Sequence, residues 1–263
     1  MSPFICLAVL KRYTWLLVCL GFVFIKSAHA STVLFNHTGA ANPTTEGWTT
    51  SGSSESGAIV DDLGTGIDAW KVIEQGGTNS RTYNQTLTTT QLSDALLTGW
   101  TLDATIRFVP PDPLASTALS NNAWCTFLVD EGVAGSRDLY GIYFGCDVDG
   151  NTLVRLYSTG STYTLTPGYH DYSLVWDPVT QLASFFIDDE LKVSDYAGST
   201  ITNSGTSRVY WGDNTTTNAT TERGAHYAYV GFTIGTAAAP EPNKILLLGI
   251  ALVAIVTRRR RAC

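Results

Sequence analysis

Residues 101–109, TLDATIRFV, alternate between apolar and polar side chains and give the clearest indication of the fold. This period of two is typical of a β-strand with one buried face, here made by Leu102, Ala104, Ile106 and Phe108. The preceding residues 88–99, TTTQLSDALLTG, predict a short helix. Thr88 and Gln91 have the spacing of a capping box, and Gly99 would end the helix.

Further strands follow at short intervals, separated by polar turns. They are predicted at residues 123–129, 139–148, 169–176, 183–188, 208–211 and 226–234. This spacing predicts an all-β protein, an antiparallel β-sandwich with no second helix between residues 31 and 239. Residues 31–57, rich in Gly, Ser and Thr, either are partly disordered or lie along a sheet edge. Four tryptophans are expected in the core or at its edge: Trp70, Trp100, Trp176 and Trp211.

The turn at residues 147–151, DVDGN, sets which side chains of the next strand face the core. A two-residue turn would put Arg155 on the apolar face, whereas a three-residue loop with Gly150 in the left-handed region puts Val154 and Leu156 there. Because burial of an unpaired arginine is costly, we expect the three-residue loop. A calcium loop is the less favoured interpretation, since the bidentate glutamate of such loops is missing.

The same alternation predicts a group of outward-facing side chains suited to sugars. Flat aromatic rings stack on sugar rings, and polar neighbours bind hydroxyl groups. The predicted glycan platform consists of Trp124, Tyr143, Asp147, Arg155 and Tyr157, with Arg107 in the same orientation one strand earlier. The alternative is that these residues pack beneath loops or decorate a face without a ligand.

Cysteine usage agrees with export, because only Cys125 and Cys146 fall between residues 31 and 239. The two predicted strands that carry them would place these cysteines opposite each other, which favours a disulfide. A pair of buried thiols is the alternative.

The first thirty residues have the layout of a secretory signal peptide. Lys11 and Arg12 form the positive region, residues 14–25 are apolar, and Ala28-His29-Ala30 is a small-x-small cleavage site. Cleavage after Ala30 would start the mature chain at residue 31; an uncleaved anchor helix is the alternative.

The last 24 residues combine three features in a fixed order. Pro240-Glu241-Pro242 precedes an apolar run at residues 245–256, which is followed by the arginine cluster 258–261. This layout resembles the PEP-CTERM sorting signal of Gram-negative bacteria. The resemblance implies a transient C-terminal membrane helix, processing by an exosortase near Pro240-Glu241-Pro242, and release or re-anchoring of the product. Residues 236–239 would be the linker; a tail anchor that is never cut is the alternative.

Charge restricts the class of partner. The whole chain has 16 basic and 23 acidic residues, a net charge of −7. Residues 31–239 alone have 8 basic and 22 acidic residues, a net charge of −14. An acidic body repels phosphate backbones, so nucleic acid is excluded, while neutral polymers and divalent cations are left open.

A second resemblance covers residues 58–235. Three segments within this region carry it: 69–76, 87–109 and 168–192. These segments are similar to concanavalin A-like (laminin G-like) jelly-roll domains. The motif His170-x-Tyr172-x-Leu174-x-x-Asp177-Pro178 carries most of the likeness. Asp188-Asp189 departs from the usual Asp-Gly turn. The resemblance implies a jelly-roll sandwich and a binding role; many members bind calcium, so the metal stays unknown, and no cofactor is required.

Catalytic motifs known for this fold are missing. The Glu-x-Asp-x-x-Glu strand of laminarinase-type glycosidases does not occur, nor do Gly-x-Ser-x-Gly or His-Glu-x-x-His. His170 is interpreted as a structural histidine. A glycoside hydrolase remains an alternative only if two carboxylates share a cleft at about 5 to 9.5 Å.

Together these observations predict an exported, exosortase-sorted protein of the cell surface or extracellular matrix of a Gram-negative bacterium. It would bind a polysaccharide, such as an exopolysaccharide, through a lectin-like sandwich and would contact the membrane before processing. The alternative outside the lectin class is a structural matrix protein with no sugar site. The oligomeric state and the final anchoring stay open.

Overall fold

A computed structural model describes residues 31–53, 55–74, 80–110, 124–129, 136–202, 206–213 and 223–235. The predicted signal peptide, linker and sorting tail lie outside these residues. Within the described part, no helix is long and apolar enough to cross a membrane.

The described residues between 31 and 235 form one compact unit. Its described part contains sixteen strands, one α-helix and two short 3-10 turns at Pro43–Glu46 and Asp62–Gly64. In chain order the elements are β1 (Thr32–Thr38), β2 (Thr49–Gly52), β3 (Glu55–Ile59), β4 (Ala69–Glu74), β5 (Arg81–Thr86), α1 (Thr89–Thr98), β6 (Trp100–Val109), β7 (Trp124–Val129), β8 (Ser136–Cys146), β9 (Thr152–Leu156), β10 (Thr162–Leu165), β11 (Tyr169–Asp177), β12 (Leu182–Ile187), β13 (Glu190–Tyr196), β14 (Ser199–Thr202), β15 (Arg208–Asp213) and β16 (Arg223–Ile234).

The strands form two antiparallel eight-stranded sheets. The first sheet has the order β13-β12-β11-β6-β16-β4-β3, with β1 also paired to β16. The second has the order β10-β9-β8-β7-β15-β5-β2, with β14 also paired to β8. The inner faces of both sheets contribute to one hydrophobic core. The predicted antiparallel β-sandwich is therefore confirmed.

Alternation along β6 matches the sequence pattern. The four apolar side chains predicted to face inward, Leu102, Ala104, Ile106 and Phe108, are all buried. Burial of a large aliphatic or aromatic side chain contributes roughly 1.5 to 3 kcal/mol, so such strands stabilise the sandwich strongly. The tryptophans predicted for the core are buried as well: Trp70, Trp100, Trp176 and Trp211.

The helix also forms where the sequence predicts it. Thr88 Oγ1 accepts a hydrogen bond from the Gln91 backbone at 3.2 Å. Gln91 Oε1 accepts one from the Thr88 backbone at 2.8 Å, which completes the capping box. Gly99 ends the helix and donates its N–H to the Ala95 carbonyl.

The N-terminal segment 31–57 lies within the sandwich, in agreement with the sheet-edge alternative. β1 pairs with β16, and β2 and β3 form edge strands of the two sheets. Trp48 is only 2% exposed in the core, and its Nε1 donates to the Asn36 carbonyl at 3.0 Å. The sandwich thus begins near residue 32, before the boundary at residue 58 that the resemblance suggested.

The loop after β8 has the predicted three-residue form. Gly150 adopts a φ of 82°, and the ladder resumes with Thr152 opposite Cys146. Val154 lies opposite Phe144, and both are buried in the core. The costly inward orientation of Arg155 is avoided, as expected.

The prediction that Cys125 and Cys146 lie opposite each other is wrong, because the register of β7 with β8 separates them. Cys125 lies opposite Ile142, whereas the buried Cys146 lies opposite Thr152. Four residues on β8 separate the two positions, which is about 13 Å along a strand. A disulfide requires Cα atoms within about 7 Å, so this register does not allow the bond.

Candidate functional site

The predicted glycan platform is only partly assembled. Trp124 lies opposite Tyr143, which lies opposite Arg155, so these positions form a row on the outer face of the second sheet. The Trp124 side chain lies outside the described part. Tyr143 is only 3% exposed and packs with Leu139, Tyr210 and the half-buried Tyr157. Its ring is therefore not available to stack on a sugar.

Asp147 belongs to a turn instead of the platform. Its Oδ1 accepts backbone hydrogen bonds from Asp149 and Asn151, each at 2.9 Å. Its Oδ2 accepts a further bond from Asn151 Nδ2 at 2.9 Å, and these bonds lower the Asp147 pKa. The interpretation of residues 147–151 as a turn is thus supported.

Arg107 lies on the opposite side of the molecule from the platform, because β6 belongs to the first sheet. There it donates to the Asp62 carboxylate through Nε at 2.8 Å and Nη2 at 2.9 Å. Tyr169 Oη donates to Asp62 at 2.7 Å, and His226 Nδ1 lies 2.7 Å from Asp62 Oδ2. This anchor cluster of Asp62, Arg107, Tyr169 and His226 fixes the Asp62–Gly64 turn on the outer face of the first sheet.

A shallow cavity of about 310 Å³ lies on that same outer face, beside the anchor cluster. Register explains its composition: on β6 and β11, Thr105 lies opposite Asp171, and Asp103 lies opposite Ser173. The lining, called the groove below, consists of Asp103, Ala104, Thr105, Asp171, Tyr172, Ser173, Phe186, Asp189 and Tyr229. Small-ligand sites generally start near 300 Å³, so the groove has room for a ring-sized group.

Two carboxylates of the groove are held by neighbouring hydroxyl groups. Ser173 Oγ donates to Asp103 Oδ1 at 2.6 Å, and Thr105 Oγ1 donates to Asp171 Oδ1 at 2.6 Å. Burial, together with the charge of Asp171, raises the pKa of Asp103 despite the bond from Ser173. Both carboxylates are therefore oriented by hydroxyl groups of the same sheet.

Two aromatic side chains accompany these carboxylates. A Cβ at Gly231 would lie 2.1 Å from Tyr229 Oη, so the absence of a side chain there lets the phenol lie against β16. Phe186, on β12, is half-buried at the other side of Ser173. The groove thus combines ring surfaces with polar groups that bind hydroxyls or amines.

The turn at Asp188-Asp189 forms although the usual glycine is missing. Both residues have positive φ, 50° and 62°, and they join Ile187 to Glu190 in a two-residue hairpin. Asp188 accepts a bond from the Asp171 backbone at 3.0 Å. The turn therefore places Asp189 at the edge of the groove.

His170 has a structural environment, as the sequence interpretation proposed. Its Nδ1 lies 2.8 Å from Asp188 Oδ2, and its Nε2 lies 2.9 Å from the Thr166 carbonyl. Both ring nitrogens are occupied, so the histidine ties the turn to β11.

Comparison with known proteins adds information about the fold. No protein-family model matches the sequence, and no curated protein matches it. A carbohydrate esterase from the Shiga toxin-encoding bacteriophage phi24B is similar in structure, with a TM-score of 0.53 and 15% identity over 79% of this chain and 100% of that one. At this identity the similarity shows the sandwich fold alone.

Weaker similarities involve botulinum neurotoxin binding domains. The serotype G domain has a TM-score of 0.45 and 12% identity over 83% of this chain and 51% of that one. The DC domain in complex with rat synaptotagmin II has a TM-score of 0.43 and 8% identity, over 81% and 50%. The chain therefore spans about half of each neurotoxin domain.

The groove was missed at the sequence level, although its parts were visible. Asp103 and Thr105 are outward residues of the alternation in β6. Asp171 and Ser173 alternate in the same way with Tyr172 and Leu174 on β11. Only the pairing of β6 with β11 brings the two pairs together, and nothing in either strand specifies that pairing.

Proposed function

We propose that this protein is a lectin-like, concanavalin A-like sandwich that binds polysaccharide in the groove of the first sheet. The observation that carries the proposal is a cavity of about 310 Å³ in which aromatic side chains and fixed carboxylates meet. Sugar rings offer apolar faces to aromatic groups and hydroxyls to carboxylates, so both kinds of contact are satisfied together. The groove replaces the Trp124 platform as the proposed site.

Binding of the purified protein to a panel of neutral and charged polysaccharides, with calcium or with a chelator, tests this function. We expect saturable binding that Asp171→Asn and Tyr229→Ala each weaken by about tenfold or more, equal to about 1.4 kcal/mol. Asp94→Asn, an equal charge change at an exposed helix position, is the matched control and should bind normally. If the folded protein binds no polysaccharide, the lectin function is wrong and the role of a structural matrix protein is favoured.

We also propose export and exosortase sorting, which rest on residues 1–30 and 240–263. Intact-mass analysis of the protein from its native cell envelope or medium would define both ends. An N-terminus at residue 31 and loss of the arginine cluster 258–261 are expected. A full-length chain in the membrane would overturn the proposal.

A second candidate is a glycoside hydrolase that uses Asp103 and Asp171. The observation in its favour is that two carboxylates on adjacent strands share one cavity and one of them has a raised pKa. In such a pair, the protonated group acts as acid and the ionised group as base or nucleophile. Release of new reducing ends, abolished by Asp171→Asn, would support this activity; binding without cleavage would reject it.

A further inference from the structure

The carboxylates of the groove have no cationic counterpart among the described residues. Ion pairs in the described part join His37 to Glu46, Lys71 to Glu55, Arg107 and His226 to Asp62, His170 to Asp188, and Lys192 to Glu190. None of these pairs includes Asp103, Asp171 or Asp189. The groove is therefore a negative region within an already acidic body.

Neighbouring cations do not neutralise this region, because they are engaged elsewhere. Arg107 is one outward position beyond Thr105 on β6, but its guanidinium is bound by Asp62. Lys71 lies opposite His226 on β4 and is paired with Glu55. Among the described side chains, neither of these two cations is available to the groove, so a positive charge there would come from the ligand.

The groove differs in two respects from a metal site. No group of three or more His, Cys, Asp and Glu side chains in the described part has the arrangement to hold a metal ion. The three carboxylates instead surround a cavity that Tyr229 and Phe186 also line. A ligand that combines an organic ring with a cationic group fits this lining. Its ring would pack on the aromatic side chains, and its cation would pair with the carboxylates.

Resting on the proposed polysaccharide-binding function, we infer that the groove prefers glycans with free, protonated amino groups, and disfavours anionic glycans. A ring that packs against Tyr229 would bring its ammonium group toward Asp103 and Asp171. Charge-assisted hydrogen bonds from the ammonium would relieve the repulsion between the two carboxylates. A neutral sugar of the same shape keeps the ring contacts but lacks this gain.

Calorimetric titration at pH 6 with three matched oligosaccharides tests the preference. The probes are a glucosamine trisaccharide, its fully N-acetylated form and a glucose trisaccharide of the same linkage. We expect the glucosamine form to bind about tenfold more tightly than either neutral form, which corresponds to about 1.4 kcal/mol. The difference should shrink at high salt, because exposed charge interactions are screened.

Variants separate this inference from the proposed function. Asp103→Asn and Asp171→Asn should each weaken binding of the glucosamine trisaccharide by a larger factor than binding of the two neutral trisaccharides, and Asp94→Asn should leave all three affinities unchanged. If the three probes bind equally, or if the preference survives both groove variants, the inference is wrong although polysaccharide binding stands. If the folded protein binds no glycan of any class, the proposed function itself fails.

Discussion

Replacement of Asp62 by asparagine removes the charge on which the anchor cluster depends. The Asp62 side chain is only 6% exposed and receives two bonds from Arg107, one from Tyr169 and a contact from His226. Burial alone would raise its pKa, but these partners outweigh burial and lower the pKa to about 2. Asparagine keeps the size of the side chain but leaves the Arg107 guanidinium without its counter-charge.

The pKa gives the size of the expected effect. A shift of nearly two units below the ordinary 3.8 corresponds to about 2 to 3 kcal/mol of folding free energy. Loss of one partner of a buried ion pair commonly costs about 3 to 5 kcal/mol, so about 2 to 3 kcal/mol is reasonable for a substitution that retains an acceptor. We expect Asp62→Asn to lower the free energy of unfolding by this amount at pH 7.

The stability difference between wild type and Asp62→Asn should depend on pH in one direction. Because folding depresses the Asp62 pKa, its contribution is complete above pH of about 4 and is lost as pH falls through about 2. The difference between wild type and Asp62→Asn should therefore be constant from pH 7 to pH 5 and shrink toward pH 2. Urea unfolding, monitored by tryptophan fluorescence, measures the free energy of unfolding at each pH, and Asp94→Asn is the control. Equal stability at pH 7, or a difference that persists at pH 2, would show that the Asp62 charge does not stabilise the fold.

Three further predictions concern the helix, the predicted platform and the groove. Thr88→Ala removes the capping box and should cost about 1 kcal/mol in urea unfolding; an unchanged midpoint would contradict the role of the cap. Tyr143→Ala should destabilise the fold by about 3 to 5 kcal/mol without selective loss of glycan binding, since the ring is buried; loss of binding alone would restore the platform hypothesis. Gly231→Ala should displace the Tyr229 ring and weaken glycan binding about tenfold or more with little loss of stability, whereas normal affinity would show that Tyr229 does not contact the ligand.

Local sequence patterns predicted those features that depend on short stretches of chain. Alternation in β6 gave its buried face, because side-chain direction in a strand has a period of two. The cost of an inward Arg155 selected the correct loop after β8. The Thr88 capping box is likewise contained within four residues.

Features that depend on long-range pairing could not be predicted in this way. Alternation assigned Arg107 an outward direction, but only the strand order shows that β6 belongs to the first sheet and β7 to the second. The expected opposition of Cys125 and Cys146 required the register of β7 with β8, which the six residues between these strands do not specify. The groove depends on the same kind of information, since Asp103 and Asp171 are brought together only when β6 pairs with β11.

The position of a bound glycan on the protein distinguishes the groove from the outer face of the second sheet. Heteronuclear NMR of the isotope-labelled protein would follow backbone amides during titration with the tightest-binding oligosaccharide of the panel. We expect shift changes concentrated around Asp103, Asp171, Ser173 and Tyr229, on three neighbouring strands of the first sheet. Changes concentrated on β7, β8 and β9 of the second sheet, with the groove amides unmoved, would contradict the proposed site.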